Sequence, residues 1–73
     1  MQKNNEKKIL IIIPAYNEED NILNTYQSIV DYNKENKIKY DVIVINDGSK
    51  DKTRQILEEN NIPHINLIWG ILF

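Results

Sequence analysis

The 73-residue chain contains no cysteine, which excludes disulfides, thiolate catalysis and cysteine-ligated metals. It has no run near the ~20 apolar residues that a membrane span needs, and its polar start does not match a secretory signal. We therefore expect a cytoplasmic chain with no membrane segment. The formal net charge of -2 provides no basic surface for nucleic acid or anionic lipid, so neither partner is predicted.

The chain is also poor in glycine, with only two residues of this type. Dinucleotide and Walker loops need glycines after the first strand, so that the backbone can approach a phosphate. Here Pro14 and Ala15 stand at that point, and the carboxylates of Glu18, Glu19 and Asp20 would repel a phosphate. A phosphoacceptor receiver domain is excluded as well, because it needs acidic residues directly after that strand.

A chain of this length forms one small domain at most and buries roughly 60% of its unfolded surface. We expect residues 1–8 to be a disordered lead-in, because they are polar and terminal. Residues 9–68 are expected to form the domain. Residues 69–73 are an apolar tail that looks aberrant as a domain end.

Two unbroken aliphatic runs, Ile9–Ile13 and Val42–Ile45, are too short for helices and are predicted to be buried strands. Pro14 should close the first strand, since it has no N–H to donate to a neighbour. Residues 65–68 suggest a third strand, and His64 precedes it.

Between the strands, the spacing of apolar residues predicts two helices. The first is expected to begin after an N-cap at Asn17, with three acidic residues in its first turn. It should fade near Tyr32, and residues 33–39 should form a polar connector. Its inward face is expected to comprise Ile22, Leu23, Tyr26, Ile29 and Val30. The second helix is expected over Lys52–Glu59, with Asp51 as its N-cap.

This order of elements predicts the α/β class, a βαβαβ unit with a parallel sheet and right-handed crossovers. Parallel strands are buried on both faces, which explains the unbroken aliphatic runs. The carboxyl ends of parallel strands lie at one edge, where open α/β sheets bind ligands. We therefore expect residues 14–18 and 46–49 to share one crevice.

The predicted crevice contains a carboxylate at Asp47, a phenol at Tyr16 and a second carboxylate at Glu18. A carboxylate selects N–H or hydroxyl donors and a tyrosine ring offers a flat face, so together they could hold a nucleoside. The simpler interpretations are that residues 46–49 form an ordinary turn and that Tyr16 is a half-buried tyrosine. For the two acidic residues after Glu18, a role in helix-start electrostatics is preferred.

Two stretches of the chain resemble the opening motifs of family 2 glycosyltransferases of the GT-A fold. They are IIIPAYNEEDNI at residues 11–22 and VIVINDGSKDKT at residues 42–53. The group that includes dolichyl- and polyprenyl-phosphate sugar transferases is the most similar, and the resemblance covers about residues 8–68. It implies an N-terminal fragment of a Rossmann-like GT-A fold, a UDP- or GDP-sugar donor and sugar transfer with inversion.

The resemblance also implies a donor-nucleoside site at the crevice. In such enzymes the aspartate matching Asp47 accepts a hydrogen bond from the base, and the tyrosine matching Tyr16 packs on it. The expected site residues are Pro14, Ala15, Tyr16, Glu18, Ile45 and Asp47. The family often has two aspartates before the glycine, whereas the first of them is Asn46 here.

Two parts of the family pattern are missing. Family members hold Mg²⁺ or Mn²⁺ with a DxD motif and use a later carboxylate as general base. No aspartate follows Asp51 in this chain, so we predict neither a metal ligand nor a catalytic residue in it. The chain resembles a truncation or frameshift product and is expected to be inactive and to aggregate. Two alternatives are a small nucleotide-binding or interaction module derived from the family, and an unrelated small α/β interaction domain.

Overall fold

The computed structural model describes residues 8–68, so the expected tail and all but the last residue of the expected lead-in lie outside the described residues. The elements are β1 (Leu10–Ala15), α1 (Ile22–Asn36), β2 (Asp41–Asp47), α2 (Thr53–Glu59) and β3 (His64–Leu67). Their order confirms the predicted βαβαβ class. No helix in this part of the chain has the length and apolar character that a membrane crossing requires.

The three strands form one parallel sheet in the order β1-β2-β3. Ala15 pairs with Asn46, and Asn46 pairs with Asn66, so these three residues form a row across the sheet near its carboxyl edge. The loops that follow β1 and β2 therefore start side by side. This is the arrangement that the sequence predicted.

Both crossovers move across the sheet in the same direction, and right-handed crossovers then place both helices on one face. Residues of β1, β2 and both helices contribute to a single buried cluster on that face. The cluster consists of Ala15, Ile22, Val44, Leu57 and Ile62. The prediction that both faces are covered is wrong for the described residues. On the other face Leu10 is 55% exposed and Ile12 is 59% exposed, and Ile65 is exposed beside them.

The open apolar face predicts self-association, because uncovered aliphatic surface and an unpaired strand edge both promote aggregation. Ile12→Lys places a charge on this face and should raise the monomer fraction measured by light scattering. Ile13→Lys is the matched control: Ile13 packs against the buried cluster, so this change should unfold the chain. A monodisperse monomer of the unaltered chain with a sharp thermal transition would contradict the prediction.

Strand β1 continues through Pro14 and Ala15, so the prediction that Pro14 closes it is wrong. Pro14 pairs with Ile45 within the register. A proline is tolerated there because β1 lies at the edge of the described sheet, where alternate N–H groups have no neighbouring strand.

Helix α1 begins five residues later than the predicted N-cap, and Asn21 is the residue before it. Asn17 instead has a positive φ of 52° and belongs to the loop. The three acidic residues consequently precede the helix, and its first turn contains none. Leu23, predicted to face inward, is 41% exposed.

Helix α1 also continues beyond Tyr32 to Asn36, where the sequence predicted a connector. Lys37, the C-cap, takes the left-handed conformation with φ 53°. Glycine usually occupies such a position, so the sequence contains no recognisable stop signal here. Asn33 and Tyr40 bridge the turn: Asn33 Nδ2 donates to the Tyr40 carbonyl oxygen over 3.1 Å.

In the second half of the chain, the observed ends of the helix and the strand differ from the predicted ends by one residue at most. Helix α2 begins at Thr53, one residue after the predicted start, and Lys52 is its N-cap. Asp51 nevertheless accepts the Thr53 N–H over 2.9 Å and so satisfies a donor at the helix start. His64 is the first residue of β3 rather than the residue before it, and Ile68 lies outside the strand.

Candidate functional site

The carboxyl edge of the sheet carries two loops that are joined by hydrogen bonds. We call residues 16–21 the first loop and residues 48–52 the second loop. Gly48 opens the second loop with φ 67°, a conformation that costs little only in glycine. Its N–H donates to the Asn46 carbonyl oxygen over 3.1 Å, which turns the chain sharply after β2.

Three successive N–H groups of the first loop donate to side chains on or next to the second loop. The donor–acceptor pairs are Asn17 N to Ser49 Oγ at 2.9 Å, Glu18 N to Thr53 Oγ1 at 2.8 Å and Glu19 N to Asp51 Oδ2 at 3.1 Å. Backbone donors in a loop need partners when water is excluded. Here the second loop supplies two of the partners, and Thr53 at the start of α2 supplies the third.

The hydrogen bonds also run in the opposite direction. Lys50 N–H donates to Asn17 Oδ1 over 2.8 Å, and Lys52 N–H donates to Glu19 Oε1 over 3.2 Å. Asn17 and Glu19 therefore each donate through the backbone and accept through the side chain. The helix-start role preferred for Glu19 is replaced by this contact with the second loop.

The Asp51 carboxylate joins the two loops from the second-loop side. It accepts the N–H groups of Glu19 and Thr53 and also the Thr53 hydroxyl. Partial burial by itself raises the pKa of the Asp51 carboxyl. Hydrogen bonds from the Thr53 hydroxyl, the Thr53 N–H and the Glu19 N–H outweigh this effect and hold the pKa below its ordinary value.

This lowered pKa predicts a pH-dependent contribution to stability. Because the folded-state pKa is depressed, the contribution is present above 3.8, the ordinary value, and is lost as the pH falls through the lower folded-state value. The stability difference between the unaltered chain and Asp51→Asn, measured by urea unfolding, should therefore shrink on acidification. Asp31→Asn, an exposed change of the same charge on α1, is the control. A difference that stays constant down to pH 2 would contradict the prediction.

Asn46 is a residue whose importance the sequence analysis missed. It is 3% exposed, its Nδ2 donates to Asn66 Oδ1 over 2.9 Å, and its Oδ1 accepts the Ser49 hydroxyl. It thus connects β2, β3 and the second loop. The pairing of two amide residues across neighbouring strands becomes visible only when the register is known.

Asn46→Ala is expected to lower the free energy of unfolding by about 1–3 kcal/mol, because it leaves buried polar partners unsatisfied. Asn24→Ala on the exposed surface of α1 is the matched control and should change it by no more than ±0.5 kcal/mol. Urea unfolding of both variants checks this. If Asn46→Ala lowers the free energy of unfolding no more than Asn24→Ala does, the side-chain hydrogen bonds of Asn46 do not contribute to stability.

The six predicted site residues all lie at or near the carboxyl edge. Alternation along the strands puts Pro14, Ile45 and Asp47 on the face without helices. Tyr16 is 54% exposed, and Glu18 is exposed in the first loop. Ala15 differs from the others, since its methyl group belongs to the buried cluster and only its backbone can face a ligand.

A separate depression of about 290 Å³ lies between the second loop and the end of β3. None of the six predicted residues lines it. Its lining consists of Asn46, Gly48, Ser49, Lys50, Arg54, Asn66, Leu67 and Ile68. The depression shares Asn46, Gly48 and Ser49 with the predicted crevice but extends toward β3 rather than β1, and it provides an alternative location for a ligand.

A divalent metal ion does not fit the residues that the structure describes. Among residues 8–68 no group of three His, Asp or Glu side chains is placed to hold one. His64, the one histidine of the chain, pairs with Val44, three residues before Asp47 along β2. At ~3.3 Å per residue it lies about 10 Å from the carboxyl edge.

The family model described as glycosyl transferase family 2 matches residues 10–70, which includes all five elements and both loops. The chain belongs to this family. The family match agrees with the two motifs, whose loops are the ones that the structure joins.

Curated relatives agree with this family. The chain is 38% identical over 60 residues to an uncharacterized glycosyltransferase, YkcC, of Bacillus subtilis, covering 80% of the chain and 19% of the relative. It is 43% identical over 54 residues to a UDP-N-acetylglucosamine–dolichyl-phosphate N-acetylglucosaminyltransferase of Methanococcus voltae, covering 74% and 20%. A dolichyl-phosphate beta-glucosyltransferase of Trichomonas vaginalis is 34% identical over 56 residues, covering 70% and 17%.

The chain thus spans a fifth or less of the length of these curated relatives. No solved structure matches it significantly. The activities in the relatives' names belong to proteins that are much longer than the matched stretch.

Proposed function

We propose that this chain forms the N-terminal, donor-nucleotide-binding part of a family 2 glycosyltransferase. In the whole enzyme it would bind the nucleoside of a UDP- or GDP-sugar, and the sugar would be transferred with inversion. Asp47 would accept a hydrogen bond from the base, and Tyr16 would pack on the base. Pro14, Glu18 and Ile45 would line the rest of the pocket.

One observation carries the proposal: the first loop is hydrogen-bonded to the second loop directly beside the end of β2. The first loop, which carries Tyr16 and Glu18, is thereby held beside the residues that follow Asp47 in the chain. This is the edge where open α/β sheets bind ligands. The acidic first loop disfavours a phosphate there. This supports binding through the nucleoside, with the diphosphate directed away from the first loop.

We further propose that the chain by itself does not transfer sugar, because residues 8–68 offer no metal site for the steps beyond nucleoside binding. The described residues offer no metal site for the diphosphate. Mg²⁺ or Mn²⁺ is expected only for a longer family member, where it would neutralise the leaving group.

Calorimetric titration of the chain with UDP and with GDP tests the proposal. Saturable binding of at least one nucleotide is expected, together with no measurable binding of pyrophosphate, because the nucleoside supplies the contacts. Uridine and guanosine complete the comparison and should retain part of the affinity. Binding of pyrophosphate as tight as that of the nucleotides would contradict the assignment, and so would the absence of binding by both nucleotides.

A further inference from the structure

We propose that Asp51 and Thr53 are positioning residues that hold the first loop against the end of β2 before a nucleotide binds. This inference rests on the proposed function, since it concerns the readiness of that same site. Neither residue is among the six predicted to contact the nucleoside. Their effect on binding would be exerted through Tyr16 and Glu18, which the first loop carries.

Thr53 connects the first loop to Asp51 through its hydroxyl group. Its side chain is fully buried, and its hydroxyl accepts the Glu18 N–H over 2.8 Å while it donates to the Asp51 carboxylate. Glu18 N–H, Thr53 Oγ1–H and Asp51 Oδ1 thus form a directed chain of hydrogen bonds. A methyl group in place of the hydroxyl would keep the volume but break the chain at both ends.

The two carboxylate oxygens of Asp51 bind different parts of the chain. Oδ1 accepts the Thr53 N–H at the start of α2, whereas Oδ2 accepts the Glu19 N–H of the first loop. Short polar side chains can bond to their own or neighbouring backbone. Asp51 also bonds across to a residue 32 positions earlier in the chain, which ties one loop to the other.

The consequence is preorganisation. When a loop must become ordered on binding, the free-energy cost of ordering lowers the affinity. A loop that is already ordered before binding avoids this cost. The exposed Tyr16 stands at the start of the first loop, and the next three N–H groups all donate to side chains on or next to the second loop. Weakening these bonds should lower nucleotide affinity without removing any direct contact to the ligand.

The test compares Asp51→Asn, Thr53→Val and Thr53→Ser in the full chain, with UDP and GDP as probes. Asp51→Asn and Thr53→Val should weaken nucleotide binding by about two- to ten-fold. Thr53→Ser retains the hydroxyl and should keep nearly the original affinity. This rescue separates the role of the hydrogen bond from that of packing. Amide hydrogen exchange, measured without nucleotide, should show faster exchange at Glu18 and Glu19 in the first two variants.

The same exchange experiment monitors folding through the core amides of Val44 and Leu57. If these stay protected in Asp51→Asn and its nucleotide affinity equals that of the unaltered chain, the positioning role is wrong. Thr53→Ser binding as weakly as Thr53→Val would also overturn it. If the unaltered chain binds neither UDP nor GDP, the proposed function itself fails, and the positioning role fails with it.

Discussion

The Asp47→Asn variant is expected to bind UDP or GDP about ten- to a hundred-fold more weakly than the unaltered chain. Asp47 ends β2 at the carboxyl edge, and a carboxylate there would accept a charge-assisted hydrogen bond from the base. Loss of such a bond costs about 1.5–3 kcal/mol, which corresponds to that range of affinity. Isothermal titration calorimetry with the nucleotide that binds the unaltered chain measures the effect.

Asp41→Asn is the matched control for this prediction. Asp41 is the exposed first residue of the same strand, at the opposite edge, so the change in charge is the same but the location is not. Its effect should be less than two-fold. Asp51→Asn should lie between the two, because Asp51 acts through the first loop rather than on the base. Equal losses for Asp47→Asn and Asp51→Asn would contradict the assignment of Asp47.

The chain alone is expected to transfer no sugar above background. Transfer requires neutralisation of the departing diphosphate and deprotonation of the acceptor hydroxyl. The loss of one such group typically costs about 10²–10⁴-fold in rate. Among residues 8–68 no metal site is found that could neutralise the diphosphate. Asp47 would be occupied by the nucleoside, and His64 lies about three residues before the carboxyl edge.

A radiolabelled UDP-N-acetylglucosamine assay with dolichyl phosphate and Mg²⁺ or Mn²⁺ checks this prediction, with GDP-sugars as further donors. The Methanococcus voltae relative, whose name states this donor and acceptor, provides the positive control. Turnover by the chain that disappears with Asp47→Ala would mean that the catalytic groups lie within these 73 residues.

The order of strands and helices could be predicted because it depends on local patterns. The aliphatic runs of β1 and β2 and the turn after Asp47 carry strong signals in the sequence. Both loops were therefore placed at the same edge. The parallel register that pairs Ala15 with Asn46 then follows from the βαβ connection.

The ends of α1 could not be predicted, because contacts distant in sequence determine them. Asn17 has the chemistry of an N-cap, but its N–H and its side chain bond to Ser49 and Lys50, more than 30 residues away. At the other end Lys37 occupies a left-handed position without the glycine that usually marks it. A single sequence provides no signal for either event.

The uncovered sheet face was mispredicted for a topological reason. Unbroken aliphatic runs indicate burial on both sides of a strand. In the described residues both helices pack on one side, which leaves Leu10 and Ile12 exposed on the other. The aliphatic pattern therefore indicates strand structure without showing which face is covered.

The roles within the second motif were also only partly visible. Asp47 was recognised from its position at a strand end. From the sequence, Ser49 is predicted to lie in a turn and Asp51 to cap a helix, and no role is predicted for Thr53. Small polar side chains do favour local backbone bonds, so this interpretation was the natural one. Their bonds to the first loop depend on the alignment of the two loops, which the structure supplies.

Amide NMR of the ¹⁵N-labelled chain titrated with UDP and GDP tests the central claim most directly, because it locates the ligand. The largest saturable shifts are expected at residues 15–19 and 47–49, on both sides of the joined loops. Shifts centred on Arg54, Asn66 and Leu67 would instead place the ligand in the depression beside β3. That result, or the absence of any saturable shift, would contradict a nucleoside site at Asp47.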